Sequence, residues 1–198
     1  MKIAVVKYNA GNVESVKNAL NRLGIEPILT DDAETLRAAD KVIFPGVGEA
    51  SSAMRFLRER NLDKIIVNLT QPVLGICLGM QLLCEVSDEN STDCLGILPY
   101  KVRKFESDNL KIPQIGWNNI FDLKSPLFAG VAEDSYVYFV HSFYVETGGE
   151  TVATCDYSVK FSAAVNHKNF HAVQFHAEKS GAVGERILEN FLTVSSKQ

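Results

Sequence analysis

A cysteine between two glycines, in the segment GICLG from Gly75 to Gly79, ends the apolar run Val73–Ile76. The pattern is the thiol counterpart of the nucleophile elbow, a sharp strand-to-helix turn that lifts a nucleophile above a sheet. Glycines permit such a turn because they tolerate torsions and close approaches that a side chain blocks. A sulfur at a helix start favours the thiolate. Cys77 is therefore a candidate nucleophile, and a packed cysteine beside structural glycines is the alternative.

His176 and Glu178 are the candidate partners of this thiol. His176 ends the strand-like run His171–Phe175, and Glu178 follows two residues later, so both side chains share one face of an extended chain. A carboxylate there can orient the imidazole while its other nitrogen faces the thiol. Two parallel strands end at the same edge of a sheet, where α/β proteins bind ligands. The sequence thus predicts a Cys77–His176–Glu178 triad.

The remaining histidines and cysteines carry weaker signals. His141, in YFVHSFY, could be a core or a rim histidine. His167 and His171 would pair on a helix, but Lys168-Asn169 between two strand-like runs favours a surface turn over a metal site. Cys84 is expected on the buried face of the helix after the elbow. No CxxC pair occurs, and we expect no metal and no cofactor.

The glycine-flanked loop Pro45-Gly-Val-Gly48 follows a predicted strand. Such a loop beside the elbow can present a backbone N–H to an oxyanion, or change torsion to do so. A phosphate-binding loop is the rival interpretation. The segment lacks the length and the lysine of a Walker loop, which disfavours that rival.

Strand and helix patterns alternate in the first half of the chain. They predict a parallel sheet with helices on both faces. The predicted strands are Ile3–Val6, Glu26–Leu29, Lys41–Phe44 and Val73–Ile76, and the predicted helices lie within AGNVESVKNALNRLG, closing at Gly24, and over Ser51–Arg60.

The second half has short apolar or alternating runs with turn signals, which predict an antiparallel extension of the sheet. The candidates are Leu95–Phe105, Tyr136–Val140, Thr151–Thr154, Ser162–Val165 and His171–Phe175, before a closing helix over Gly184–Val194. The expected fold is α/β, three-layered and flavodoxin-like, with a mostly parallel central sheet, and the domain prediction is a single unit over residues 1–198.

Composition and charge limit the partners and the cellular location that we expect for the protein. The 198 residues carry a net charge of -4, which gives no reason to expect nucleic acid or an anionic membrane as partner. The first apolar run, Ile3–Val6, is shorter than the core of a signal peptide, and no stretch approaches a membrane span. We therefore expect a cytoplasmic protein with reduced thiols.

GICLGMQ and QFHAEKS together resemble the class I, or triad, glutamine amidotransferases. PGVG, IPQIGWN, YFVHSFY and the short length narrow the resemblance to the glutaminase subunits of imidazole glycerol phosphate synthase, in histidine biosynthesis. The resemblance implies that Cys77 attacks the side-chain amide of glutamine and releases ammonia. His176 would relay protons, Glu178 would orient it, and water would hydrolyse the glutamyl thioester to glutamate.

The resemblance also implies binding residues. The N–H groups of Leu78 and of a reoriented Val47 would form the oxyanion hole. The ends of the glutamine would be held by Gly48, Gln81, Glu89 and the backbone of Ser142 and Phe143, where the match of Glu89 rests on spacing. Three segments depart from the family pattern: Ala177 stands in place of proline, Gln114 in place of histidine, and GVGEASSAM in place of an Ala-Phe-Gly stretch.

The implied partner is a (β/α)8-barrel cyclase subunit, which forms a heterodimer with the glutaminase and receives ammonia through its interior. There the ammonia would serve to make imidazole glycerol phosphate and the aminoimidazole carboxamide ribotide. Asn12, Trp117 and Lys179 match positions near that interface, although Trp117 could be core and Lys179 merely solvated. The same chemistry could serve another synthase, such as one making a surface sugar, and a flavodoxin-like binding module without a reaction is the non-enzymatic alternative.

Overall fold

A seven-stranded sheet forms the centre of the computed structural model, which describes residues 1–9 and 12–195. Ala10 and Gly11, at the head of the segment that predicts the first helix, and residues 196–198, at the end of the predicted domain, lie outside the described residues. The strands of this central sheet are β1 (Ile3–Val6), β2 (Ile28–Thr30), β3 (Lys41–Gly46), β4 (Val73–Cys77), β11 (Thr151–Tyr157), β12 (Val159–His167) and β13 (Phe170–Val173).

Two smaller sheets complete the β-structure. One has four strands and the other is a two-stranded antiparallel pair. Their strands are β5 (Val86–Ser87), β6 (Thr92–Asp93), β7 (Lys101–Lys104) and β10 (Phe143–Val145) in the first, and β8 (Gln114–Ile120) and β9 (Ser135–His141) in the second. The helices are α1 (Val13–Arg22), α2 (Ala33–Ala38), α3 (Ala50–Glu59), α4 (Leu62–Val67), α5 (Leu78–Leu82) and α6 (Gly181–Thr193).

The central sheet has the order β11-β12-β13-β4-β3-β1-β2. Neighbouring strands from β13 to β2 run parallel. Beyond β13, the strands β12 and β11 extend the sheet with antiparallel pairing. The predicted α/β fold, mostly parallel with an antiparallel extension, is therefore confirmed. Its register sets Gly46 beside Cys77 and Val173 beside Ile76, so the chain leaves three adjacent strands at one edge.

Apolar side chains of the helices cover both faces of the sheet. Leu20 of α1 and Phe191 of α6 pack with Val5 in one cluster, and Met54 and Leu57 of α3 belong to the cluster on the other face. A buried side chain of this size contributes about 1.5–3 kcal/mol relative to an exposed one. Central strands are therefore apolar on both faces, which explains why β1 is buried at all four positions.

Several predicted elements are wrong in detail. The second strand begins at Ile28 rather than Glu26, because it is a half-exposed edge strand with a weak apolar signal. Only Lys101–Lys104 of the run Leu95–Phe105 forms a strand. Six elements lack a sequence prediction: α2, α4, β5, β6, β8 and β10. The two helices have six residues each, too few for a periodic pattern to stand out.

His167 and His171 flank a turn at Lys168–Asn169, as predicted. His171 lies in β13, also as predicted, and is buried there. Burial, together with the positive charge of Lys41, lowers the pKa of His171 to about 4. The ring is therefore neutral at pH 7. Among residues 1–9 and 12–195, no group of three or more His, Cys, Asp or Glu side chains could hold a metal ion.

Candidate active site

Cys77 is the last residue of β4 and has φ 54° and ψ −111°, a left-handed conformation that is strained for a residue with a side chain. The following helix, α5, starts at Leu78. A Cβ atom built at Gly79 would lie 1.9 Å from the carbonyl oxygen of Phe44. Strand β3, which contains Phe44, therefore approaches α5 too closely for any side chain at position 79. This geometry is the elbow that the glycine spacing predicts.

His176 and Glu178 lie beside this elbow. Nδ1 of His176 is 2.8 Å from Oε1 of Glu178, and both side chains are at least 98% buried. Burial alone would lower the pKa of His176, but its interactions with Cys77 and Glu178 outweigh burial and raise the pKa to about 10. The imidazole therefore keeps its proton at neutral pH, and it lines the same cavity as the Cys77 sulfur.

The backbone around His176 is held from both sides. Its N–H donates to the carbonyl of Tyr138 in β9, at 2.9 Å, and its own carbonyl accepts from the hydroxyl of Ser180 at 2.7 Å. Ala177 begins a short 3-10 helix and is buried. These two hydrogen bonds restrain the backbone of His176, the residue before Ala177.

Asn12 has a contact that sequence reasoning missed. Its side-chain amide donates to Oε1 of Glu178 at 2.6 Å, the same oxygen that contacts His176. The other oxygen of Glu178 is buried and has no hydrogen-bond partner among the described residues. Asn12 and Glu178 lie 166 positions apart, so only the fold could reveal this contact.

A cavity of about 310 Å³ opens above Cys77, a size that accommodates a small metabolite. It brings together ten of the residues singled out in the sequence: Val47, Gly48, Cys77, Leu78, Gln81, Glu89, Ser142, Phe143, His176 and Lys179. Glu178 lies behind His176, and Asn12 lies behind Glu178. Trp117 instead lines a separate cavity with Ile115 and Lys160.

Pro45 and Gly46 of the predicted loop end β3, and Val47 and Gly48 line one wall of the cavity. Gly48 has φ +111°, a backbone torsion that residues with side chains rarely adopt. Below the loop, the buried hydroxyl of Tyr8 donates to the carbonyl of Pro45 at 2.8 Å. Burial, and secondarily the charge of Cys77, raises the pKa of Tyr8. The start of the loop is therefore anchored, while its glycine end has unusual torsional freedom.

Glu89 and Gln81 supply polar groups to the cavity wall. Oε2 of Glu89 accepts the N–H of Ala50 at 2.7 Å. Burial raises the pKa of Glu89, although the bond from Ala50 opposes this shift. The amide nitrogen of Gln81 donates to the carbonyl of Phe143 at 2.9 Å and to Oε1 of Gln174 at 3.0 Å.

His141 braces the opposite wall. Its Nδ1 donates to the carbonyl of Phe143 at 2.7 Å, because a carbonyl can only accept. Nε2 of the neutral ring then carries no proton, so the Gln114 amide 3.0 Å away must present its NH2 group to it. Burial lowers the pKa of His141 to about 4, and the bond to Phe143 only partly opposes this shift. The neutral ring holds the strand that faces Cys77. Gln114 provides its partner from β8.

Exposure bears on three further expectations. Trp117 is 55% exposed, so the interpretation as a core residue is wrong, and Lys179 is exposed at the rim of the cavity. Cys84 is buried as expected, but it lies beyond the end of α5 at Leu82. Burial raises the pKa of its thiol.

Comparisons with known proteins match the chain to one family. Residues 4–194 match the family described as Glutamine amidotransferase class-I. Imidazole glycerol phosphate synthase subunit HisH of Bacteroides fragilis strain YCH46 is 56% identical over 194 residues, which cover 97% of this chain and 99% of the relative. The protein of that name from Pasteurella multocida is 47% identical over 191 residues, 96% of each chain.

Solved structures share the fold. A structure described as a glutamine amidotransferase superposes with a TM-score of 0.75 at 20% identity, over 97% of both chains. The structure of PurLQS from Thermotoga maritima gives a TM-score of 0.74 at 19% identity, over 96% of this chain and 97% of the other. At this level of identity, these likenesses concern the fold alone.

Proposed function

Since the chain belongs to the class I glutamine amidotransferases, and within them to the HisH glutaminase subunits of imidazole glycerol phosphate synthase in histidine biosynthesis, we propose that Cys77, His176 and Glu178 hydrolyse glutamine to glutamate and ammonia. The observation that carries this proposal is the buried His176, which contacts Glu178 through Nδ1 and interacts with Cys77 at a strained elbow. We place the reaction in the cytoplasm.

The proposed reaction begins with attack of the Cys77 sulfur on the side-chain amide carbon of glutamine. The N–H of Leu78, at the start of α5, and that of Val47 stabilise the negative charge that develops on the amide oxygen. Protonated His176 gives its proton to the departing nitrogen, so that ammonia leaves and a thioester remains. The ring then takes a proton from water, which hydrolyses the thioester.

The cavity wall supports glutamine as the substrate. Glu89 can hold the α-ammonium group, since it lies at the wall with one oxygen already fixed by Ala50. Gln81 is fixed by Phe143 and Gln174, so its amide is preorganised. Gly48 and the backbone of Ser142 and Phe143 line the remaining wall, where they can contact the carboxylate end.

We propose that Asn12 positions the triad. Asn12 is the N-cap residue of α1, but its side chain makes no capping bond to that helix. Among the described residues, Asn12→Ala therefore removes chiefly the contact with Glu178. We expect kcat/KM for glutamate release to fall about tenfold, because a hydrogen bond to a charged group is lost. Steady-state assays of the assembled synthase measure the change.

Asp32→Ala is the matched control, because the Asp32 side chain does cap α2 by accepting the N–H of Thr35 at 2.8 Å. That variant should lose about 1 kcal/mol of stability and keep its activity. An Asn12→Ala enzyme with wild-type kcat/KM would refute the positioning role.

We further propose that the partner is a barrel cyclase subunit, which docks on the outer face of β8 and β9. This outer face comprises Ile115, Trp117, Tyr136 and Tyr138; the first three are 63%, 55% and 60% exposed. Adjoining exposed apolar side chains favour a protein interface. The strand pair also carries Val140, whose carbonyl lies 3.8 Å from the Cys77 sulfur, so ammonia released there would be close to the partner.

Trp117→Ala is expected to raise the dissociation constant of the barrel subunit by about tenfold or more, since exposed tryptophans that become buried often dominate an interface. Titration calorimetry with the purified barrel subunit measures this constant. Val67→Ala removes an exposed apolar side chain from α4 and should leave the constant unchanged. If Trp117→Ala and Val67→Ala bound the barrel subunit with the same dissociation constant, the interface would not lie on the outer face of β8 and β9.

A further inference from the structure

We propose that Gln174 is a positioning residue for the nucleophile, with its side-chain amide N–H aimed at the Cys77 sulfur. The Nε2 atom of Gln174 lies 3.8 Å from Sγ of Cys77. Gln174 follows β13 and precedes His176 by two residues. The inference rests on the proposed function only in taking Cys77 as the reacting group.

A chain of hydrogen bonds fixes which end of the Gln174 amide faces the sulfur. The carbonyl of Phe143 can only accept, so Gln81 must present its NH2 group there, at 2.9 Å. The same NH2 group then donates its second hydrogen to Oε1 of Gln174, at 3.0 Å. The NH2 group of Gln174 is consequently the end that is left for Cys77.

The burial of Gln174 supports a role for its contact with Cys77. The residue is 0% exposed, and burying an amide is costly unless its polar atoms find partners. Its backbone N–H already donates to Ala163 at 2.8 Å, so the strand does not depend on the side chain. An apolar residue of similar size would fill the space without the cost of burying an amide. A glutamine at position 174 is therefore explained by its two contacts: its amide oxygen accepts from Gln81, and its NH2 group donates to Cys77.

The amide differs from the other groups near the sulfur in being neutral at every accessible pH. His176 interacts with Cys77, and the charge of Cys77 also acts on Tyr8 below the loop. Glu89, His141 and Lys179 are the other ionisable side chains along the described cavity wall. A donor that does not titrate stabilises the thiolate without competing for its proton, and it leaves the charges of these five residues unchanged when it is replaced.

The test is the rate at which iodoacetamide alkylates Cys77 as a function of pH, followed by mass spectrometry of the peptide that contains it. Gln174→Met removes the donor to Cys77 and the acceptor for Gln81. We expect the midpoint of its profile to move up by about one pH unit, with alkylation near neutral pH slowed about tenfold. Gln174→Glu retains an acceptor for Gln81 and sets a carboxylate against the sulfur, so its upward shift should be larger.

Thr154→Val is the control, since Thr154 is a buried polar residue whose hydroxyl donates to the carbonyl of Phe121 at 3.2 Å, away from this cavity. It should lower the melting temperature without moving the alkylation profile. An unchanged midpoint in either folded Gln174 variant would overturn the inference. Because alkylation requires no glutamine, a wild-type protein that fails to hydrolyse glutamine would contradict the proposed function alone.

Discussion

Cys77→Ala is expected to abolish the release of glutamate from glutamine while the protein remains folded. The variant loses the only sulfur in the cavity of the described residues and keeps the backbone N–H of Leu78. Without a nucleophile no thioester forms, and loss of such a residue costs about 10⁴-fold or more in kcat. Glutamate assays on the assembled synthase, with circular dichroism as the check on folding, measure the effect.

Cys94→Ala provides the comparison, because Cys94 lies in a different cavity, beside Met54 and Arg58. Burial raises the pKa of its thiol to about 12, so this cysteine is protonated and unreactive at neutral pH. We expect near wild-type glutamate release from this variant. Comparable activity of Cys77→Ala and the wild type would exclude Cys77 as the nucleophile.

Gly79→Ala is expected to destabilise the fold by about 3 kcal/mol or more, or to prevent folding. The added Cβ would lie 1.9 Å from the carbonyl oxygen of Phe44 and 2.9 Å from its carbon. Both atoms belong to β3 at the centre of the sheet, so neither can move without disturbing the strand pairing with β4. Overpacking that displaces backbone is among the most costly single substitutions. Denaturant unfolding measures the loss.

Gly149→Ala is the matched substitution, because a Cβ at Gly149 has open space around it and the residue does not have a left-handed torsion. It should change the free energy of unfolding by less than about 0.5 kcal/mol. If Gly79→Ala were equally mild, the close contact between α5 and β3 would not be the reason for the second glycine of the elbow.

Local patterns predicted the elbow and the strands that end at it. The glycines around Cys77 and the spacing of His176 and Glu178 each depend on a few consecutive residues, and their meeting follows from parallel strand order. Long-range contacts could not be predicted in this way. Asn12 reaches Glu178 across 166 positions, and Gln174 approaches Cys77 across 97, through side-chain directions that only the packed structure defines.

The strand β8 shows why other elements were missed. Its sequence QIGWNNI has two asparagines and a glycine, residues that are uncommon in strands, and only Gln114 and Ile120 are buried. Pairing with β9 determines its conformation, so tertiary context outweighs intrinsic preference there. The exposed outer face of the pair is consequently a feature that the structure adds, although the resemblance already implies that Trp117 lies near the partner.

Labelling with a diazo-ketone analogue of glutamine, followed by peptide mass spectrometry, tests the central claim most directly. The reagent must occupy the substrate cavity before it can react, so it reports both the nucleophile and the binding site. We predict one adduct per chain, on Cys77, prevented by excess glutamine and absent from Cys77→Ala. Labelling of Cys84, Cys94 or Cys155 instead, or labelling of Cys77 that glutamine does not prevent, would contradict the assignment of Cys77 as a glutaminase nucleophile.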